Sequence, residues 1–307
     1  MIRGGQILKA KKSEESSVLF KRSKVEKVIF AIVFVVFAAY AVSLVFPFLW
    51  LIVNSFQDKI AYQVNAATGR PFALPEKIVW DNYIYAFKEL SYNGSNIFGM
   101  FFNSVWYTLL RVGGAVLMSS CTGYIISKYK FKLNGFIYAV IIFSMTVPTV
   151  GTTGAMFKLV DDTLHIYNTP LYVLLHYLTG TGMNFLVMYG FFKNVSWNYA
   201  EAAFIDGAGH FRVFVHIMLP QAKMVMLTLA IVSGITAWNE YMDVLLYLPD
   251  FPTIASGMYG VSRTLPRSGN TPAYYAALVI SIIPVLVLFS CFSDTIMKNF
   301  SVGGLKG

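Results

Sequence analysis

Six long apolar runs constrain this chain more than any other feature of its sequence. Each has roughly 20 residues or more, about the number that an α-helix needs to cross the hydrocarbon core of a bilayer. The runs are Val28–Val53, Phe101–Ile126, Gly135–Phe157, Pro170–Phe192, Met224–Leu248 and Tyr274–Ser293. Only 13% of the 307 residues are charged, about half the share in a soluble domain. The sequence therefore predicts an all-α polytopic membrane protein with six transmembrane helices.

The Lys and Arg residues between the runs indicate the orientation of the chain. One side carries eight in 1–27, three in 127–134, three in 193–223 and two after the last run, sixteen in all. The other side carries four in 54–100, one in 158–169 and two in 249–273, seven in all. Because cytoplasmic loops carry the positive excess, we expect both termini and loop 193–223 in the cytoplasm. Topology explains the net charge of +9 better than a nucleic-acid partner does.

This pattern predicts a cytoplasmic tail, 1–27, followed by one six-helix domain, 28–307. A basic tail of this kind orients the chain, and binding to anionic membrane lipid is its alternative role. Aromatic side chains near the ends of runs favour the headgroup region of a bilayer. On that ground we expect headgroup positions for Trp50, Trp106, Tyr124 and Tyr129.

The polar loop of about 193–223 predicts two short helices. Ser196 suits the N-cap of a first helix, and Gly207 and Gly209 would end it. A second helix would run from about Phe211 to Leu219, before Pro220. The spacing along that helix predicts an apolar face made of Phe211, Phe214, Val215 and Met218. The pattern alone fits docking into a partner's groove and lying on the lipid interface equally well.

Three charged residues lie inside the runs, where a charge costs about 2.5–3.5 kcal/mol on insertion scales. Arg111 lies about 15 Å and Glu240 about 12 Å from the outer ends of their runs, at 1.5 Å per residue. We therefore expect an ion pair of Arg111 with Glu240 or with Asp243. Two other interpretations are a polar contact between helices and a lining of the translocation path. The path residues would be Trp238, Asn239, Glu240 and Tyr241.

Several kinds of chemistry have no support in the sequence. It contains no GxxxxGK[ST] loop to hold ATP, no HExxH and no GxSxG. Cys121, Cys291 and the four histidines lack the spacing of a metal site or a disulfide framework. We therefore expect no metal, no cofactor and no catalysis by this chain.

One motif resembles a known family. Glu201-Ala202-Ala203 is followed after three residues by Gly207 and after nine more by Ile217-x-Leu219-Pro220. This string resembles the EAA loop of the permease subunits of ABC importers. The matches typical of the carbohydrate-uptake branch, whose type member imports maltose, are Asp206-Gly207-Ala208, Trp238-Asn239-Glu240 and the C-terminal sequence GGLKG at 303–307. The resemblance extends from about residue 28 to the end.

This resemblance implies a type I ABC importer permease fold in a bacterial inner membrane. Such a subunit forms half of the path for a sugar or oligosaccharide. Its implied partners are a second homologous permease, a dimer of ATP-binding cassette subunits that holds ATP and Mg, and an extracytoplasmic solute-binding protein. Glu201 would make a polar contact in the ATPase cleft, Ala202 and Ala203 would permit close approach, and Gly207 would form the turn. The loop within 249–273 would reach the binding protein.

Other functions stay open beside this one. The same machinery serves non-sugar solutes such as polyols or glycerol phosphate. An independent secondary carrier is a further alternative, although we find no inverted repeat with paired broken helices and a carrier would not need the Glu201 loop. A membrane enzyme would need a clustered nucleophile and base, which the sequence lacks.

Overall fold

The computed structural model describes residues 24–70, 72–147 and 151–302, and almost all of their regular structure is α-helical. The chain divides into two compact units, Met1–Leu51 and Ile52–Gly307. Two predicted features, most of the tail 1–27 and the sequence GGLKG at 303–307, lie outside the described residues.

The first unit contributes most of helix α1 (Lys24–Ser55), whose 32 residues span about 48 Å at 1.5 Å per residue. No Asp, Glu, Lys or Arg occurs between Val28 and Ser55. Pro47 lies inside the helix. A helix that is apolar on every face is typical of a membrane span.

The second unit contains the remaining helices and one short hairpin. In the hairpin, Ser91 pairs with Asn96 and Tyr92 with Ser95. In chain order the elements are α2 (Lys59–Ala67), α3 (Asp81–Lys88), β1 (Ser91–Tyr92), β2 (Ser95–Asn96), α4 (Ile97–Lys128), α5 (Asn134–Thr146), α6 (Thr153–Lys158), α7 (Pro170–Tyr177), α8 (Met183–Asn194), α9 (Asn198–Ile205), α10 (His210–Gln221), α11 (Lys223–Trp238), α12 (Met242–Tyr247), α13 (Ile254–Ser268) and α14 (Thr271–Val302). A π-helical turn, Leu159–Thr163, follows α6, and another, Phe214–Met218, lies within α10.

Helix α4 is the centre of the second unit, because α7, α8, α11 and α13 all pack against it. Its closest neighbour is α8. A Cβ atom on Gly123 would lie 2.8 Å from the backbone nitrogen of Tyr189, so the two backbones approach at a glycine. A buried cluster at this contact includes Val116, Met188 and Phe192.

Within the described residues, three helices are long and apolar enough to cross a membrane alone: α1, α4 and the Thr271–Ser293 part of α14. A fourth span results if α10 and α11, whose axes differ by 72°, count as one. Helices α1, α4 and α14 contain the first, second and sixth predicted runs, in that order. The chain is thus an all-α membrane protein with several apolar spans.

The other three apolar runs are interrupted. The fourth run breaks between α7 and α8, where Gly180 and Gly182 have φ of 63° and 83°, the left-handed region that glycine adopts without strain. The fifth run breaks between α11 and α12. In the third run, α5 ends at Thr146 and α6 begins at Thr153, with 148–150 between them not described. Long apolar segments on both sides of each break made each run look like one span, although the breaks in the fourth and fifth runs contain the polar residues Thr179, Thr181, Asn239 and Glu240.

The segment after α12, which the sequence suggested was a loop, contains the 15-residue helix α13. A capping box starts this helix: the Thr253 N–H donates to Ser256 Oγ at 2.9 Å and Thr253 Oγ1 accepts from the Ser256 N–H at 3.3 Å. Ser104 of α4 accepts a further bond from the Ile254 N–H at 2.8 Å. These bonds fix the segment to the central helix.

Candidate functional site

Two short helices, α9 and α10, form the polar hairpin that the sequence predicted. Helix α9 starts at Asn198, and the Ser196 hydroxyl accepts a bond from the Asn198 N–H at 3.3 Å. Helix α10 starts at His210 and continues past Leu219 to Gln221. The sequence placed these ends within about two residues, but Ser196 was wrong as the N-cap, since the N-cap of α9 is Trp197 and makes no side-chain cap bond. Pro220 lies inside α10 and not beyond its end.

The turn between α9 and α10 depends on the backbone of Gly207. Its φ is 79°, and its N–H donates to the Phe204 carbonyl at 3.0 Å. The next amide, of Ala208, donates to the Ala203 carbonyl at 2.9 Å. This pair of bonds is the Schellman motif, which requires a left-handed residue after the helix. A Cβ on Gly207 would meet nothing within 4 Å, so the positive φ alone makes glycine favourable here.

The motif residues divide between a packed face and an exposed face. Ala203 is buried against the core of the second unit, and Ile217 and Leu219 are half-buried. The exposed members of the motif are Glu201, Ala202, Asp206, Gly207 and Pro220. The hairpin therefore has one face attached to the bundle and another open to a partner.

Two large apolar side chains flank the turn on the open face. Ile205 is 87% exposed and Phe211 is 81% exposed. The predicted apolar face of α10 is divided: Phe211 is exposed and Met218 is fully buried, while Phe214 and Val215 are half-buried. The π-helical turn changes the periodicity within α10 and so changes which residues share a face. Sequence reasoning missed Ile205, although it follows Glu201 by four residues and therefore shares its face.

An aromatic cluster attaches the hairpin to the end of α4. The hydroxyl of Tyr129 lies 2.9 Å from Nδ1 of His210, whose ring contacts Phe204 at 4.8 Å between centroids. Tyr124 stacks on Phe214 at 4.9 Å and is only 3% exposed. Its ring packs between α4 and α10, and its level in the membrane stays a prediction.

The three charges of the predicted apolar runs are linked in one polar cluster. Arg111 Nη1 lies 3.6 Å from Glu240 Oε2 and donates to the Tyr107 hydroxyl at 3.1 Å. The guanidinium carbon also lies 4.5 Å from the centroid of the Tyr177 ring. The Tyr177 hydroxyl in turn donates to Asp243 Oδ2. The structure thus brings Arg111 to Glu240, and it connects Asp243 to Arg111 through Tyr177.

Glu240 has a second role at the break in the fifth run. Its Oε1 accepts from the backbone N–H groups of Met242 at 3.0 Å and of Asp243 at 3.3 Å. A carboxylate at the start of a helix satisfies free amides and interacts favourably with the helix dipole. One side chain therefore caps α12 and pairs with the cation on α4.

The other residues predicted along the translocation path have different surroundings. Trp238 is 8% exposed and packs edge-on against Phe101 at 5.8 Å. The Asn239 amide donates to the Ile235 carbonyl at 2.8 Å, at the end of α11. Tyr241 is 37% exposed and stacks on Tyr259 at 4.8 Å. The Trp238 ring belongs to the core, whereas Asn239 and Tyr241 are accessible.

Comparisons with known proteins add to this geometry. A family model described as "Binding-protein-dependent transport system inner membrane component" matches residues 115–301, more than half of the chain. The diacetylchitobiose uptake system permease protein NgcG of Streptomyces coelicolor is 25% identical over 269 residues, covering 87% of this chain and 86% of that protein. The arabinooligosaccharides transport system permease protein AraQ of Halalkalibacterium halodurans is 29% identical over 278 residues, covering 88% of this chain and 94% of that protein.

One solved structure shows the same fold. It is a crystal structure of a bacterial ABC transporter involved in the import of the acidic polysaccharide alginate. The superposition has a TM-score of 0.73 and covers 89% of this chain and 98% of that chain, at 19% sequence identity.

Proposed function

Because the chain belongs to the family of inner-membrane components of binding-protein-dependent transport systems, we propose that it is one permease subunit of an ABC importer for a sugar or oligosaccharide. It is a transport component, and ATP hydrolysis belongs to a partner subunit. The complete importer would contain a second homologous permease, an ATPase dimer with ATP and Mg, and a solute-binding protein. The interrupted runs complete six crossings, with both termini in the cytoplasm.

The exposed face of the α9–α10 hairpin is the observation that supports this proposal most. Ile205 and Phe211, at 87% and 81% exposure, are costly in water and suit burial in a protein cleft. Glu201 and Asp206 add charge around this apolar tip. We assign contact with the ATPase to this face, and attachment to the bundle to the packed residues Ala203, Ile217 and Leu219.

The attachment of the hairpin supports a mechanical role. The buried cluster that includes Ala203 and Met218 also includes residues of α4, α8 and α11. A displacement of the hairpin would therefore move three helices of the bundle together, because packed interiors transmit strain. In this mechanism the ATPase dimer closes around ATP, the hairpin moves with it, and the path changes from inward-facing to outward-facing.

The proposed substrate class rests on the relatives. Their names specify diacetylchitobiose, arabinooligosaccharides and starch degradation products. The accessible Asn239 and Tyr241, with Glu240, offer hydrogen-bonding groups to hydroxyls along the path. A relative named for sulfoquinovosyl glycerol keeps a glycerol-linked solute as the second candidate. A secondary carrier would not need the exposed hairpin.

Docking is tested by co-purification of the permease pair with its ATPase. Ile205→Asp and Phe211→Asp each place a charge in the apolar tip, and we expect at least a tenfold loss of bound ATPase. Ile84→Asp on α3, at an exposed apolar position outside the hairpin, is the matched control and should retain the ATPase. Normal ATPase binding by both hairpin variants would reject the docking assignment.

The substrate is tested by ATP hydrolysis of the complex in lipid with its binding protein. The sugar panel contains N-acetylglucosamine, arabinose and glucose with their short oligomers, and the counter-panel contains glycerol and glycerol phosphate. Stimulation by one sugar supports the proposal. Stimulation by glycerol or glycerol phosphate alone would assign a polyol substrate in place of a sugar. Uptake in the absence of the ATPase would favour a secondary carrier.

A further inference from the structure

An apolar groove of about 460 Å³ lies between α4, α10 and α11. This volume is within the range of ligand sites in proteins. Among the described residues that line the groove, Lys223 is the only charged one and the others are apolar. Neither the docking tip at Ile205 and Phe211 nor the polar cluster around Arg111 belongs to this groove.

The space inside the groove is accessible from the surface of the bundle. On α4, a Cβ atom placed on Gly113 would meet nothing within 4 Å, so the missing side chain leaves room there. Leu117 of α4 and Leu227 of α11 also line the groove and are 51% and 37% exposed. Val215 and Leu219 of α10 complete it and are half-buried. Exposed leucines beside an unfilled space are costly in water and favourable against hydrocarbon, so a lipid chain suits this groove.

Lys223 places a positive charge at the hairpin end of the groove. It is the first residue of α11, directly before the fifth apolar run, and it is exposed. From Lys223 to Ala230, the last residue of α11 in the groove, the helix rises about 10 Å at 1.5 Å per residue. In the described part of the chain Lys223 has no ion-pair partner. The groove therefore has an ammonium group at one end and apolar walls beyond it.

We propose that this groove binds one anionic phospholipid of the cytoplasmic leaflet. One acyl chain lies along the apolar walls, and the phosphate of the headgroup accepts hydrogen bonds from the Lys223 ammonium group. Anionic lipids attract Lys side chains at the cytoplasmic surface of a membrane. The choice of leaflet rests on the proposed function, which places the hairpin in the cytoplasm.

A helix of the second permease is the other occupant that apolar walls would accept. Such a helix would bury the Lys223 ammonium group among apolar side chains, where a charge without a partner is costly. A phospholipid supplies both the hydrocarbon and the opposite charge in one molecule. Because it would contact α4, α10 and α11 together, it would also stabilise the attachment of the hairpin to the bundle.

The test is native mass spectrometry of the assembled importer, stripped of lipid and then given phosphatidylglycerol or phosphatidylcholine with the same acyl chains. We expect one phosphatidylglycerol to be retained in preference to phosphatidylcholine. Lys223→Gln should lower the retention of phosphatidylglycerol about fivefold, the size of one Lys contact with an anionic membrane, and leave that of phosphatidylcholine unchanged. Gly113→Phe fills the groove and should lower the retention of both lipids roughly tenfold, because buried methylene groups supply much of the affinity.

Each variant has a matched control outside the groove. Lys130→Gln removes an exposed lysine on the same predicted side of the membrane. Gly190→Phe enlarges a glycine of α8 at which a Cβ also meets nothing within 4 Å. Both controls should retain phosphatidylglycerol like the wild type. Because Lys223 is exposed, Lys223→Gln keeps the test valid if Gly113→Phe misfolds.

Equal retention of phosphatidylglycerol by the wild type and both groove variants would overturn the inference, and so would equal retention of the two lipids by the wild type. A photo-reactive benzoylphenylalanine in place of Leu227 identifies the occupant in the membrane. A cross-link to phospholipid supports the inference, whereas a cross-link to the second permease overturns it. If Ile205→Asp and Phe211→Asp still release the ATPase while the groove retains no lipid, the proposed function stands and only the groove assignment fails.

Discussion

Gly207 illustrates how one torsion angle positions the contact surface for a partner. Its φ of 79° allows the bonds from Gly207 and Ala208 back to α9, which set the direction of α10. Since nothing lies within 4 Å of a Cβ placed there, a substitution tests the backbone without a steric clash.

We expect Gly207→Val and Gly207→Asn to differ. A left-handed conformation costs an ordinary L-residue roughly 1–2 kcal/mol, with more for a β-branched side chain and less for Asn. Gly207→Val should lower the melting temperature of the permease and weaken co-purification of the ATPase at least fivefold, whereas Gly207→Asn should remain near wild type. Equal behaviour of the two variants would mean that φ at this position does not control the hairpin.

Arg111 makes three contacts, so its pairing with Glu240 has to be separated from the others. We expect a double-mutant cycle of Arg111→Met and Glu240→Gln to give a coupling energy of about 1–3 kcal/mol in the free energy of unfolding. Glu240→Gln keeps a carbonyl oxygen that can cap α12. An SDS-unfolding titration measures the cycle.

The control for this cycle replaces Arg212 on the exposed hairpin. Arg212→Met with Glu240→Gln should show additive changes in the free energy of unfolding, because distant sites do not couple. A coupling energy near zero for the Arg111 cycle would mean that Arg111 is stabilised by Tyr107 and Tyr177 alone.

At the scale of elements, the contact between α4 and α8 depends on the absence of a side chain at Gly123. We expect Gly123→Ala to destabilise the bundle by about 1–3 kcal/mol, the usual cost of overpacking a tight contact. The obstructing atoms belong to the backbone of α8, which cannot rotate aside. A thermal unfolding curve of the purified protein measures the loss.

Gly113→Ala is the matched control on the same helix. A Cβ there would meet nothing within 4 Å, and alanine is favoured over glycine in a helix by about 1 kcal/mol. Its melting temperature should therefore equal or exceed that of the wild type. A similar loss in both variants would indicate that α4 is sensitive to any added methyl group.

The sequence predicted the features that depend on neighbouring residues and missed those that depend on contacts between segments distant in the chain. The turn of the hairpin follows from Gly207, so its position was predictable, whereas the N-cap of α9 is Trp197 and not the predicted Ser196. The interruption of the fifth run was not, because Glu240 caps α12 only after the backbone has turned. The division of the predicted apolar face of α10 coincides with a π-helical turn, and the burial of Tyr124 depends on the packing of the hairpin against α4. Neither has a signal in the apolar periodicity.

At the scale of the whole molecule, every proposed contact depends on the orientation in the membrane. The hairpin can meet an ATPase only on the cytoplasmic side, and a solute-binding protein can meet the chain only on the other. The positive-inside pattern, sixteen Lys and Arg residues against seven, predicts this arrangement. Glu201 and Glu76 are exposed residues that represent the two sides.

Cysteine labelling in intact cells would test the orientation. Cys121 and Cys291 are replaced by alanine, and Glu76→Cys or Glu201→Cys then supplies a single thiol. A membrane-impermeant maleimide should label Glu76→Cys in cells whose outer barrier admits the reagent, and Glu201→Cys only after the membrane is opened. Because the glutamates match in type and exposure, a difference in labelling reports their side of the membrane. Labelling of both before opening would place the hairpin outside and exclude ATP-driven coupling through it.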